Sequence, residues 1–334
     1  MGGNALKTAK TRRYNRDEFF DTWAKIYRIF VNQGTICRGI ELIPAYETKE
    51  SFGDMDILID EYEFSKSKFT NEFIKEKFGS TEIVRNGVVI SFNFEEIQVD
   101  LIFTKTFDYS LCYFSYNDLG NLIGRLAHKF GLKHGHDGLS LPIRDDSHVY
   151  RTYSITTDHD ETLRFLNLDV DTYKRGFKTL EDIFLYVSSS KYFRPEIYLF
   201  ENLNNIQRTR DRKRSTYNAF LEWCKTREFS EKKWYTSKTD ALNYAIEYFD
   251  NEHGGTLFRD AYEKTFQEIA ARKYISSKFN GEIVMNVTNL TGKNLGEFMK
   301  HLKTNTPFKY DSFVMSKTDE QIKDHIRYEF LKGA

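Results

Sequence analysis

At 334 residues the chain is long enough for two or three domains with real cores. Only four prolines and no polar repeat argue against long disordered linkers. Lys and Arg together number 49, as do Asp and Glu, so the zero net charge excludes a uniformly basic nucleic-acid binder and leaves phosphates to local patches.

Cys37, Cys112 and Cys224 show no CxxC spacing, which points to a reducing compartment and no structural zinc. No apolar run approaches 18 residues, and the opening Met1–Arg13 stretch lacks a signal-peptide core. Leu6 stands where a myristoylation signal needs Ser or Thr. The expectation is a soluble, cytoplasmic chain without a membrane partner.

In chain order, a basic arm is followed by a helix with Asn15 as N-cap and Glu18 three residues on. Its apolar face is Phe19, Trp23, Ile26, Tyr27 and Phe30, and Gly34 stops it. Strand-like segments at 36–43, 55–59, 82–92 and 97–103, with a helix near 65–78, predict a mixed sheet with helices on one face. A further helix is expected from Ser115, capped by Ser115 and Asp118, to about Phe130. β-like sequence follows to Thr157, then helices at 179–188, 206–225, 241–251 and 257–279. The predicted fold class is α+β, with an α+β half over 1–157 and a mostly helical half over 158–334.

The most informative stretch is Lys49-Glu-Ser-Phe-Gly-Asp54-Met-Asp56-Ile-Leu-Ile-Asp60. On a strand, Asp54 and Asp56 share one face, while Met55 and Ile57 point into the sheet. Two carboxylates so close repel each other unless cations sit between them, which is what two-metal phosphoryl transfer needs. Gly53 lets a backbone approach a phosphate without a Cβ in the way. Asp100, inside Ile97-Gln-Val-Asp-Leu-Ile-Phe103, is costly to bury without a cation or a donor. The bland reading is a strand-end Asp capping a turn and a surface Asp-x-Asp. The apolar flanks of all three carboxylates favour a convergent metal site of Asp54, Asp56 and Asp100.

Glu50-Ser-Phe-Gly-Asp-Met-Asp-Ile-Leu resembles the catalytic motif of family X DNA polymerases, in the DNA polymerase β superfamily of nucleotidyltransferases, and Val99-Asp100-Leu101 is similar to their third catalytic aspartate. Cys112-Tyr113-Phe114-Ser115 resembles the sugar-facing Tyr-Phe segment, and the helix from Leu119 resembles the one that touches nucleotide and template. Tyr14-Asn-Arg-Asp-Glu-Phe is similar to the family's lead-in, so the likeness covers about residues 14–145. It implies a polymerase β-like palm, two Mg²⁺ (or Mn²⁺) ions and a nucleoside triphosphate. One ion would be shared by all three aspartates and the second held by Asp54 and Asp56. Departures are present too: Gly39 is followed by Ile40 where Gly-Ser is expected, and Phe52 replaces a phosphate-binding Ser. Lys49, Ser51 or Arg38 would then grip the phosphates, and Gly2-Gly3 has no place in the pattern.

Asp118, Asn121, Arg125 and His128 line one helical face. With Tyr113 and Phe114 they either read sugar and base or form a solvated face. The run Arg208-Thr-Arg-Asp-Arg212-Lys-Arg214 suits a nucleic-acid backbone or plain solvent. Phe279-Asn-Gly281-Glu-Ile-Val followed by Leu290-Thr-Gly292-Lys-Asn-Leu-Gly296-Glu-Phe-Met is similar to the tail motif of bacterial CCA-adding enzymes, and a plain helix-turn-helix is the favoured reading. His134-Gly-His136-Asp137 reads as a β-turn before a zinc site. The expected activity is transfer of a nucleoside monophosphate to a DNA or RNA 3′-hydroxyl, with a protein or small molecule as the alternative acceptor.

Overall fold

The first helix, α1 (Arg16–Val31), starts on a reciprocal capping box. Asn15 Oδ1 accepts from Glu18 N at 2.9 Å, and Glu18 Oε2 accepts from Asn15 N at 2.9 Å. The computed structural model describes residues 5–31, 39–146, 148–230, 237–305 and 310–333; Gly2-Gly3, Gly34, Cys37 and Arg38 lie outside these. The chain is α+β.

A five-stranded sheet organises the first part. Its strands are β2 (Ile40–Leu42), β4 (Asp54–Asp60), β5 (Ile83–Asn86), β6 (Val89–Phe94) and β7 (Ile97–Thr104), in the order β2-β4-β7-β6-β5. Only β4 and β7 run parallel; the other pairs are antiparallel. A separate ribbon pairs β1 (Tyr14–Asn15) with β3 (Ser51–Phe52). The single strand expected at 82–92 is a hairpin, because Gly87 takes a left-handed φ of 57° that a continuing strand cannot hold.

One sheet face carries Met55, Ile57, Ile59, Ile90, Phe92, Val99, Leu101 and Phe103. Phe19, Ile26 and Phe30 of α1 close over it, with Ile74 and Phe78 of α2 (Asn71–Phe78). Burial of these side chains fixes the β4 register, since a one-residue slip would put Asp54 and Asp56 into that core.

Beyond the sheet run α3 (Phe107–Phe114), α4 (Leu119–Lys129), β8 (Lys133–Gly135), β9 (Gly138–Asp145) and β10 (His148–Thr156). Helices α5 (His159–Phe165), α6 (Val170–Arg175), α7 (Leu180–Ser189), α8 (Asn205–Asp211), α9 (Ser215–Lys225) and α10 (Lys238–Glu252) follow. Their aromatic rings pack on α4: Phe130 meets Phe165 at 4.9 Å and Tyr192 at 4.8 Å. The first compact unit therefore takes in 1–142 and 152–256, and the expected boundary at 157 falls inside it. The second unit, 143–151 with 257–334, contains α11 (Leu257–Lys278), α12 (Gly281–Thr288), α13 (Gly292–Asn305), α14 (Tyr310–Ser316) and α15 (Asp319–Gly333). Phe279, Val284, Leu302, Val314, Ile322 and Ile326 form its core. Asn289 (φ 58°) ends α12 and α13 follows, so the Leu290–Gly296 stretch is a helix-turn-helix whose Lys293 pairs with Glu297 at 3.6 Å.

Ser115 does not open α4. It closes α3, with its Oγ donating to Leu111 O at 2.6 Å, and Asp118 makes no capping bond because its carboxylate accepts from Arg214. The polar side of α4 is likewise engaged. Arg125, 5 % exposed, donates to the fully buried Asp211, which also takes Arg210 at 2.7 Å and Asn121 at 3.4 Å. Arg208 donates to the carbonyls of Phe200 and Leu203, both at 2.9 Å. Most of the basic run thus braces α8 against its neighbours, while Arg212 lies exposed above the Phe200 ring.

Removing a partner from a buried ion pair leaves a charge without compensation. Arg125→Ala should therefore cost about 3–5 kcal/mol in a urea unfolding titration. A loss below about 0.5 kcal/mol, the scale of an ordinary surface substitution, would contradict this role.

Candidate metal centre

Asp54 and Asp56 stand two apart on β4, and the parallel register sets Asp56 beside Asp100 and Asp54 beside Gln98 on β7. Because the opposite sheet face is sealed by the apolar core, all four polar side chains emerge on one side. One oxygen from each of Asp54, Asp56 and Asp100 lies within 4.8 Å of the others, and this is the only such cluster among the described residues. That spacing suits ions about 4 Å apart.

The electrostatics follow from the crowding. Burial, then the charges of Asp54 and Asp100, push the Asp56 carboxyl up to about 8. Asp100 is 4 % exposed; burial lifts it to about 6, against bonds from Ser91 and Gln98 that pull it down. Asp56 Oδ1 is buried and has no hydrogen-bond partner among the described residues. A buried carboxylate oxygen with nothing to accept is expensive, and a cation relieves it. Three carboxylates and no sulfur or imidazole form a hard, all-oxygen donor set, which suits Mg²⁺ or Mn²⁺.

Basic groups border the carboxylates. Lys49 is half-buried; burial lowers its pKa while Asp54 and Asp56 raise it. Its Nζ donates to Asn117 Oδ1 at 3.3 Å and lies 4.8 Å from the Phe52 ring centre. Tyr116 and Asn117 are consecutive left-handed residues, φ 59° and 62°, which turns Asn117 to face Lys49 and Thr216. Arg13 donates to Ser51 Oγ at 2.7 Å and Ser51 O at 2.9 Å. Arg13 Nη1, the tip of a flexible side chain, lies 2.9 Å from where a Cβ on Gly53 would stand, so the guanidinium covers the glycine face expected to meet a phosphate. Gly39 is left-handed (φ 85°) and leads into β2, so no helix opens there to take a phosphate.

The structure therefore brings Lys49 to Asp54, Asp56 and Asp100, whereas Ser51 and Gly53 are both covered by Arg13. Tyr113 and Phe114 instead stack against His134 at 5.0 Å and His136 at 5.8 Å, while Asn121 and Arg125 serve Asp211. Sequence reasoning missed Arg13 and Asn117, whose partners lie tens of residues away, and Gln98, which strand alternation places on the face of Asp100 two residues on.

No protein-family model matches the chain, and no curated protein matches it. The chemistry of the cluster is then the ground for a functional reading.

The folded metal-free chain keeps a proton on Asp56 that the unfolded chain releases above its ordinary value of 3.8, so stability falls as pH rises from there to about 8. Asp56→Asn should raise the melting temperature in EDTA at pH 8 by roughly 2–4 °C or more, the scale of 1 kcal/mol in a domain this size. At pH 4 it should change little. Calorimetry that found the variant less stable at pH 8 would contradict the repulsion.

Proposed function

We propose that this chain is a metal-dependent nucleotidyltransferase with a polymerase β-like palm, acting on a nucleoside triphosphate with two Mg²⁺ or Mn²⁺ ions. The observation that carries the reading is the Asp54–Asp56–Asp100 cluster across a parallel strand pair, with an orphaned buried oxygen on Asp56. When bound, the ions would neutralise the phosphates and make the acceptor hydroxyl more acidic. Asp54, Asp56 and Asp100 would hold them.

The rest falls to the chain's own side chains. Lys49, fixed by Asn117, offers its ammonium to the triphosphate. Arg13, which holds Ser51 and covers Gly53, would add a second positive charge for the phosphates. The hydroxyl oxygen attacks the α-phosphorus, the bond to the β-phosphate breaks, and pyrophosphate leaves while the hydroxyl proton passes to solvent. The acceptor we propose first is a nucleic-acid 3′-hydroxyl. A protein or small-molecule hydroxyl is the second reading, favoured by one observation: Arg208, Arg210 and Arg214 are spent on internal partners, leaving less of a basic track for a backbone.

Each labelled triphosphate should be incubated with Mg²⁺ or Mn²⁺ and DNA primers, RNA primers or the protein alone. Pyrophosphate release should fall at least about 10³-fold in Asp54→Ala, Asp56→Ala and Asp100→Ala. Lys49→Met should raise the KM for the triphosphate more than it lowers kcat. Wild-type turnover in any Asp variant would remove that residue from the site, and no transfer to any acceptor would sink the reading.

A further inference from the structure

Gln98 lies two residues before Asp100 on the same face of β7 and is 2 % exposed. Its Nε2 donates to both Asp100 oxygens, each at 3.0 Å. Its Oε1 accepts from the backbone N–H groups of Ala5 at 3.0 Å and Leu6 at 3.4 Å. A carboxylate accepts only, so the amide has one satisfactory orientation. With the arm on Oε1, Nε2 faces Asp100.

The next residues of the arm are held by a second acceptor. The N–H groups of Lys7, Thr8 and Ala9 converge on the Glu82 carboxylate at 2.7 to 3.1 Å, and these bonds hold its pKa down at about 2. Glu82 is itself placed by the buried Asn93, whose Oδ1 accepts from Glu82 N at 3.0 Å and Thr81 N at 2.9 Å. Asn93 sits opposite Gln98 in the β6–β7 register. One continuous chain of hydrogen bonds and strand pairing therefore joins surface Glu82, residues 5–9, Gln98 and Asp100.

We propose that Gln98 is a positioning residue through which the docked N-terminal arm, clamped by Glu82, sets the Asp100 carboxylate for ion binding. This rests on the ion-site reading above. A hydrogen bond that orients a metal ligand commonly governs ion affinity by 10–100-fold. Coupling of this kind is reciprocal: whatever the arm contributes to ion binding, the ion returns as order in the arm.

The test uses the full chain, Mn²⁺ titrated by electron paramagnetic resonance, and amide hydrogen exchange over residues 5–9. Gln98→Leu should weaken Mn²⁺ binding by about 10–100-fold. Glu82→Ala, which touches no carboxylate of the cluster, should weaken it by about 3–10-fold. The double variant should be no weaker than Gln98→Leu alone, because Glu82 acts through Gln98. In the wild type, Mn²⁺ should slow exchange at Ala5 and Leu6. Should Gln98→Leu fail to fold, Glu82→Ala carries the test. Free arm amides in Glu82→Ala with unchanged Mn²⁺ affinity would overturn the coupling while leaving the ion site intact. A wild type that binds no Mn²⁺ would overturn both.

Discussion

Like-charge repulsion on one face of a parallel strand pair is the constraint on which this structure turns. Asp54, Asp56 and Asp100 are forced together because the β4–β7 register is fixed from the other side, by Met55, Ile57, Val99 and Leu101 in the core. The hydrophobic energy of that core is what holds three carboxyls closer than they would settle alone. The fold thus stores an electrostatic demand at a single point: burial first, and the neighbouring carboxylates after it, raise Asp56 and Asp100.

Much of the surrounding architecture answers that demand with hydrogen bonds or positive charge. Gln98 donates to Asp100, Lys49 stands near Asp54 and Asp56, and Arg13 lies across Gly53. These partners come from β7, from the segment before β3 and from the N-terminal arm. By contrast the second polar cluster surrounds a fully buried carboxylate, Asp211, with Arg125, Arg210 and Asn121. The two polar clusters therefore differ in kind. Asp211 is satisfied by the protein, whereas Asp56 retains an oxygen without a partner among the described residues. Arg125 Nε also lacks a partner among the described residues, so it is the unpaired carboxylate oxygen, an acceptor among like charges, that marks the Asp56 cluster as the candidate ion site.

The sequence made the carboxylates legible because β-strand periodicity is strict: Asp54 and Asp56 at i and i+2 must share a face, and an Asp inside Ile-Gln-Val-Asp-Leu-Ile needs a reason. The capping box at Asn15 and Glu18 was legible for the same local reason. Arg125 was not, since a polar stripe on α4 looks alike whether it meets a ligand or a buried Asp211 some eighty residues on. The same holds for the run from Arg208 to Arg214, which reads as a phosphate track until the chain folds its arginines onto Asp118, Asp211 and nearby carbonyls. Gln98 shares a strand face with Asp100 at i and i+2, but its bonds to the arm, like the place of Asn117, carry no pattern. Their roles exist only once Ala5 and Lys49 arrive from distant parts of the chain.

If Asp54, Asp56 and Asp100 hold two ions, anomalous diffraction at the manganese edge will show them in crystals grown with Mn²⁺ and a non-hydrolysable nucleoside triphosphate. Two peaks about 3.5–4 Å apart, both within bonding distance of these carboxylates, are expected. Ordered triphosphate with manganese only elsewhere on the chain, and none between the three aspartates, would contradict the two-ion site.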